Sequence, residues 1–247
     1  MTTASSVLII GGASDIGRAT ALIYAGHGWK VTLAGRNLAE CGRIADDIAV
    51  RSGQRPDVVE LDVLRTDRFT AFVEAFPEAP DTIVCAAGLL GDQARDQCDP
   101  NRAAVTLRSN FEGPALLLGA FASAMAARGH GVIVGISSVA GERGRASNYV
   151  YGAAKAGFSA FLSGLRHSLV RQGVCVITVK PGFVRTKMTA QMTLPRGLTA
   201  EPAEVARAIF KADQAKRPGS LYVRPVWRPI MTIIRMLPEP VFLRMRL

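Results

Sequence analysis

The sequence predicts an α/β fold: a doubly wound, parallel, seven-stranded sheet between two layers of helices. Three observations predict it. Short apolar runs alternate with longer stretches of 3.6-residue periodicity along all 247 residues, as repeated βαβ units require. Several of the runs are apolar on both faces, which suits strands covered on both sides. Glycines follow the first run directly and open the first helical stretch, the context in which a glycine-rich turn admits a pyrophosphate.

The elements follow in order. VLIIG at 7–11 leads to a helical pattern over 17–28, and KVTLA at 30–34 to one over 38–51. DVVELDV at 57–63 precedes 66–76, and DTIVCAA at 81–87 precedes the longest helical stretch, 101–127. GVIVGIS at 131–137 leads to 151–171, and VCVITVK at 174–180 to 202–216. In the last of these Pro202 suits the first helical position and Glu204 the first turn. SLYV at 220–223 completes the sheet. No linker or repeat interrupts the series, so 1–247 reads as one domain, with a substrate loop at 187–200 and a basic, apolar tail at 224–247.

Composition narrows the function. At 49% hydrophobic the chain can bury a sizeable core. Its opening lacks a basic n-region, so no signal peptide is expected. The longest nearly uncharged stretch, GPALLLGAFASAMAA, falls short of the roughly 20 apolar residues that span a bilayer. Cys41, Cys85, Cys98 and Cys175 are scattered, and histidines number three. No metal site is expected, and reduced thiols fit a cytoplasmic location. The formal charge of +10 fits a solvated surface or an anionic partner, either a phosphorylated ligand or a membrane surface. No aromatic-rich basic module points to nucleic acid.

The first turn, GGASDIG, offers Gly11, Gly12, Ser14, Asp15, Ile16 and Gly17 to a dinucleotide. Small residues let the backbone approach the pyrophosphate, and the helix start supplies N–H groups and a positive dipole end. The second strand ends at Gly35 and Arg36, where a site for NAD places an acid. An arginine there suits a 2′-phosphate and favours NADP(H); the negative Asp15 nearby keeps NAD(H) open. Asp62, with Val63 beside it, ends the third run and suits the adenine amine. Ala86, Ala87 and Gly88 end the fourth and leave room for the cofactor.

The chemistry rests on Tyr151 and Lys155, four apart and so on one helix face. A phenol near pKa 10 exchanges protons poorly at neutral pH. A nearby ammonium is expected to lower that value and make a usable acid or base. Ser138, just past the fifth strand, is placed to hydrogen-bond a carbonyl oxygen as charge develops on it. Asn110, mid-helix against its propensity, is expected to disturb its helix and hold a water that reaches Lys155.

GGASDIG, CAAG, SNFEG, ISS, YGAAK and KPGFVRT occur in this order over almost the whole chain. As a set they resemble the motifs of the classical short-chain dehydrogenase/reductase family. The resemblance implies a Rossmann-like fold and the NAD(P)H-dependent reduction of a ketone to a secondary alcohol, or the reverse. It implies that Asn110, Ser138, Tyr151 and Lys155 form a catalytic tetrad and that Lys155 also holds the nicotinamide ribose. Pro181, Gly182, Val184 and Thr186 would border the nicotinamide, and the helices 101–127 and 151–171 would build a dimer or tetramer. One departure stands out: GGASDIG is one residue shorter than the family's TGxxxGxG and lacks its middle glycine.

GLLGD, VAGERGRASNYVYG, KPGFVRTKMTA and VWRPIMTIIRMLP are similar to stretches of those members that reduce a keto-pentose carried on a polyprenyl phosphate. A soluble carbonyl or 3-oxoacyl reductase is the alternative. A non-catalytic dinucleotide-binding regulator is the alternative from another class, disfavoured by a complete tetrad. Arg224, Arg228, Arg235, Arg244 and Arg246 face one acid, Glu239, in a tail that also holds Trp227 and many aliphatic residues. Such a tail packs across the substrate cleft or a subunit interface, lies in a membrane interface, or is disordered. Arg143 and Arg145 meet a substrate phosphate or remain solvated loop charges.

Overall fold

The computed structural model describes residues 4–245. Residues 1–3, and with them the start of the opening segment, lie outside the described residues, as do Arg246 and Leu247 of the tail. Strands β1 (Ser6–Ile10), β2 (Lys30–Gly35), β3 (Asp57–Glu60), β4 (Thr82–Cys85), β5 (Gly131–Ile136) and β6 (Val174–Lys180) form one parallel sheet with the strand Gly219–Tyr222. Two-residue strands β7 (Phe183–Val184) and β8 (Thr199–Ala200) pair separately, so Gly219–Tyr222 is β9. The order β3-β2-β1-β4-β5-β6-β9 reverses direction at β1, which has β2 on one side and β4 on the other. That switch opens a crevice at the carboxyl ends of both strands.

Side-chain alternation splits the core in two. Val7 and Ile9 of β1 face a cluster built with α1 (Asp15–Gly26), α2 (Leu38–Ser52) and α8 (Pro202–Gln214), while Leu8 and Ile10 face the other layer. That layer holds α3 (Phe69–Glu74), α6 (Gly113–Arg128) and α7 (Tyr149–Leu169). The doubly buried runs are thus explained by period-two alternation between two helical layers.

The predicted long helix is three pieces. After the short α4 (Gln93–Asp96), α5 (Pro100–Leu107) starts under an Asp99 cap, a π-helical turn covers Arg108–Glu112, and α6 follows. Pro114, at the start of α6, has no N–H to give to the Asn110 carbonyl, so regular α-helical bonding fails at that point. The third strand stops at Glu60, sooner than predicted, because its partner β2 ends opposite it at Gly35. The tail folds back as α9 (Trp227–Met236) and α10 (Glu239–Phe242). Among the described residues no helix is long and apolar enough to cross a membrane, and no cluster of His, Cys, Asp and Glu could hold a metal.

Candidate active site

The glycine turn is a fitted cradle. Gly11 has φ +80°, and a Cβ there would lie 2.7 Å from the Ala87 nitrogen. A Cβ on Gly12 would lie 2.9 Å from Leu33 Cβ, and one on Gly17 would strike the Gly11 carbonyl. Ser14 caps α1: its hydroxyl accepts from Gly17 N at 3.0 Å and donates to Gly11 O at 2.8 Å. Asp15 and Ile16, the first helical residues, keep backbone N–H groups with no acceptor in their own helix. These donors and the absent side chains suit a diphosphate. The missing middle glycine is replaced by Asp15, whose carboxylate accepts from Lys187 N at 2.6 Å. Its charge is therefore engaged with loop 187–200 rather than free.

Arg36, at the end of β2, is exposed and forms no ion pair among the described residues. Asp62, just past β3, accepts from Leu64 N at 3.0 Å through one oxygen, which leaves the other open. Val63 packs its carbonyl against Gly113, where no Cβ would fit. Ala86 and Ala87 press on Gly11. At Gly88 a Cβ would lie 2.8 Å from Asn110 Oδ1 and 3.4 Å from Lys155 Nζ, so this glycine lets the two side chains converge at the end of β4.

Asn110 is fully buried within the π turn. Its Nδ2 donates to Leu89 O at 2.6 Å and Thr106 O at 2.8 Å, and its Oδ1 accepts from Leu89 N at 3.2 Å. The helix is disturbed at Asn110 as expected, but through Pro114; the Asn110 amide instead clamps the segment after Gly88. Two adjacent serines divide their work. Ser137 Oγ donates to Lys155 O at 2.9 Å and lies 2.7 Å from Ser159 Oγ, fastening α7. Ser138 accepts from Ala140 N at 3.1 Å, and its hydroxyl stands close enough to Tyr151 to draw the phenol pKa downward.

Tyr151 is half-buried and Lys155 is 4% exposed. Lys155 Nζ donates to Ile136 O at 3.0 Å and stands 5.7 Å from the centre of the Tyr151 ring. The expected lowering of the phenol by Lys155 is not found. Burial pushes the Tyr151 phenol up to about 12, and the one downward influence on it comes from Ser138. Burial also brings the Lys155 ammonium down to about 8, with the Cys85 thiol acting upward. At neutral pH the site therefore holds a neutral phenol, a proton donor, close to a cation.

On the far side of the crevice, Val139 N donates to Pro181 O at 3.0 Å, joining the serine loop to the turn that holds Gly182. Val184 is buried in β7, and Thr186 N donates to Thr189 Oγ1 at 3.1 Å. Arg143 is not free for a phosphate: Nη1 donates to Ile234 O and Leu237 O, both at 2.6 Å, and Nη2 to Glu239 at 2.7 Å. Arg145, by contrast, buries Nε and Nη2 with no partner among the described residues. The tail packs Trp227 and Met231 against Val139 and Phe183. Sequence reasoning named Trp227 only as part of a mixed tail and missed Glu142 and Ser137 entirely; no periodicity marks a loop residue that pairs across 80 positions, as Glu142 does with Tyr222.

A family model described as short chain dehydrogenase matches residues 5–196. An uncharacterised oxidoreductase of Mycobacterium tuberculosis is 36% identical over 251 residues, covering 99% of this chain and 98% of its own length. Carbonyl reductase family member 4 of Danio rerio is 30% identical over 82% of this chain and 88% of its own length. Among solved structures, a candidate NAD(P)-dependent gluconate 5-dehydrogenase of Beutenbergia cavernae, determined with NADP, aligns with TM-score 0.82 at 26% identity, over 92% of this chain and 98% of its own.

Proposed function

Because the chain belongs to the short-chain dehydrogenase family, we propose that its single domain reduces a ketone to a secondary alcohol with NADP(H), NAD(H) being the second choice, or runs the reverse reaction. The observation that carries this is the convergence of Ser138, Tyr151, Lys155 and Asn110 beside Gly88 and the glycine cradle. The fitted turn and the unpaired Arg36 support a dinucleotide with a 2′-phosphate, and the Beutenbergia protein was solved with NADP.

Bound, the reduced nicotinamide supplies the hydride. Tyr151, a neutral phenol, gives its proton to the carbonyl oxygen as negative charge grows there. Ser138 donates a hydrogen bond to the same oxygen. Lys155 stabilises the phenolate left behind and holds the ribose, and Asn110 keeps the segment after Gly88 in place and supports the proton relay. Pro181, Gly182, Val184 and Thr186 line the nicotinamide side, and loop 187–200 covers the substrate. Tyr151→Phe is expected to lower turnover by about two to four orders of magnitude while NADPH titrations keep full stoichiometry. Normal turnover of that variant removes the assigned role.

A finer reading, favoured by the unpartnered Arg145 guanidinium and the exposed apolar residues of the tail, is a keto-sugar carried on a polyprenyl phosphate, met at an anionic membrane surface. NADPH oxidation against a panel separates the readings: a polyprenyl-phosphate keto-pentose, 3-oxoacyl thioesters and small ketones. Preference for the first, with binding to anionic vesicles, supports the lipid-linked substrate. Preference for the others supports a soluble carbonyl or 3-oxoacyl reductase. NADPH binding with no oxidation across the panel supports a non-catalytic regulator.

A further inference from the structure

The tail helix reaches the reaction centre from behind. Trp227, the first residue of α9, is 5% exposed. A Cβ on Gly182 would run into its indole at Cε2, Nε1 and Cζ2. The indole Nε1 donates to Leu198 O at 3.3 Å, and the ring lies 5.9 Å from the Phe183 ring, centre to centre. Trp227 therefore occupies the side-chain space of position 182 and ties the Pro181–Gly182 turn to loop 187–200.

The loop after Ser138 grips the same helix. Glu142 accepts from Lys180 Nζ at 2.6 Å and Tyr222 OH at 2.8 Å, with Arg235 Nε 3.2 Å from its other oxygen. Arg143 holds the Ile234 and Leu237 carbonyls at the end of α9 and lies 3.8 Å over the Phe242 ring. Both ends of α9 are thus fixed to the two loops that flank the crevice, Ser138–Arg143 and Lys180–Phe183.

We propose that Trp227 is a positioning residue for the reduction. Its indole backs Gly182 and fixes the turn against which the nicotinamide lies, and the Glu142–Arg143 clamp sets the same helix against the Ser138 loop. This rests on the reading that Gly182 borders the nicotinamide. The pyrophosphate and adenosine of a dinucleotide would be held by the glycine cradle and Arg36, none of which Trp227 touches. Loosening the turn should therefore disturb the orientation of the reacting carbon more than the binding of the cofactor.

Trp227→Ala is compared with Trp227→Phe, which keeps a ring against Gly182, and with Arg143→Gln, which keeps the indole and frees the clamp. NADPH stoichiometry is counted by cofactor fluorescence, and kcat and KM are measured with the ketone that the wild-type protein reduces fastest. Trp227→Ala is expected to lose at least ~10-fold in kcat with one NADPH still bound per chain, Trp227→Phe to recover most of it, and Arg143→Gln to lie between. An unchanged kcat, or a kcat that falls only in step with NADPH stoichiometry, overturns the proposal.

A second arm needs no substrate. The chain has two tryptophans, and the other, Trp29, packs on Tyr24 just before β2, at the amino end of the strands. On adding NADP+, the emission of Trp227 in Trp29→Phe is expected to change, whereas that of Trp29 in Trp227→Phe is not. If the wild-type protein reduces no ketone but this difference is present, the reductase reading fails and the Trp227 contact stands. No change at Trp227 under saturating NADP+ overturns the contact itself.

Discussion

Lys155 is a cation kept where a cation is costly. Burial lowers its pKa from 10.5 to about 8, while the phenol of Tyr151 stays protonated until about 12. The reductive rate should therefore fall as pH climbs past about 8, as the ammonium is lost and not as the phenol ionises. Initial rates from pH 6 to 10 check this, and Lys155→Arg, which stays charged, should abolish that limb of the profile even where its absolute rate is lower. Stability follows the same group with the opposite slope. A base whose folded pKa is depressed gives stability that is present above its unfolded value and lost as pH falls through the folded one. The wild-type protein should thus gain stability relative to Lys155→Met between about pH 8 and 10.5, by up to about 3 kcal/mol. Parallel melting curves for the two proteins across that window would contradict the assignment. The spacing of Tyr151 and Lys155 was legible in the sequence. The balance of burial against charge was not, because it depends on Ile136 and Cys85, which only the folded sheet brings to Lys155.

The elements were readable wherever periodicity was the cause. All seven strands of the main sheet and six helical stretches lie where alternation and the 3.6-residue pattern put them. The π turn around Asn110 was not readable as such, since Pro114 widens the helix only in a register that Val63 and Gly113 enforce. Nor was the polar knot at the amino edge of the sheet. There Asp213 of α8 accepts from Tyr24 of α1 at 2.6 Å and from Thr82 of β4 at 3.1 Å. Burial raises the Asp213 carboxyl above its ordinary value, while the Tyr24 and Thr82 hydrogen bonds oppose this. Removing one donor leaves a buried carboxylate short of partners, so Tyr24→Phe should cost about 1–3 kcal/mol in denaturant unfolding. NADPH affinity should not change, because the knot lies at the opposite end of the strands from the glycine cradle. A loss of affinity without loss of stability would show that α1 transmits strain along its length.

On the scale of the whole molecule, the exposed apolar residues fall largely into two territories. Ile233, Met236, Val241, Leu243 and Met245 belong to the tail, with Met236 77% exposed. Val105, Leu107, Phe111, Leu116, Tyr149 and Val170 belong to the α5–α7 layer or its ends, with Leu116 52% exposed. Between α6 and α7 runs a groove of small residues, Gly119, Ala122, Ser123 and Ala126 facing Leu165 and Ser168. Small side chains let another helix approach closely, and exposed apolar residues gathered on one layer mark a surface that another chain covers. A two-fold axis through the layer would set the same patch against itself. The expected state is thus a dimer or tetramer of the 26.3 kDa chain joined through α6 and α7, the helices the sequence resemblance pointed to. Leu116→Arg sets a charge against its own copy across that axis, at a position that is exposed on α6. Light scattering should show the mass of the variant reduced at least twofold, with NADPH still bound one per chain. A wild-type protein that scatters as a single chain would leave this surface without its partner copy, and an oligomer unaffected by Leu116→Arg would move the interface to the other apolar territory, the tail.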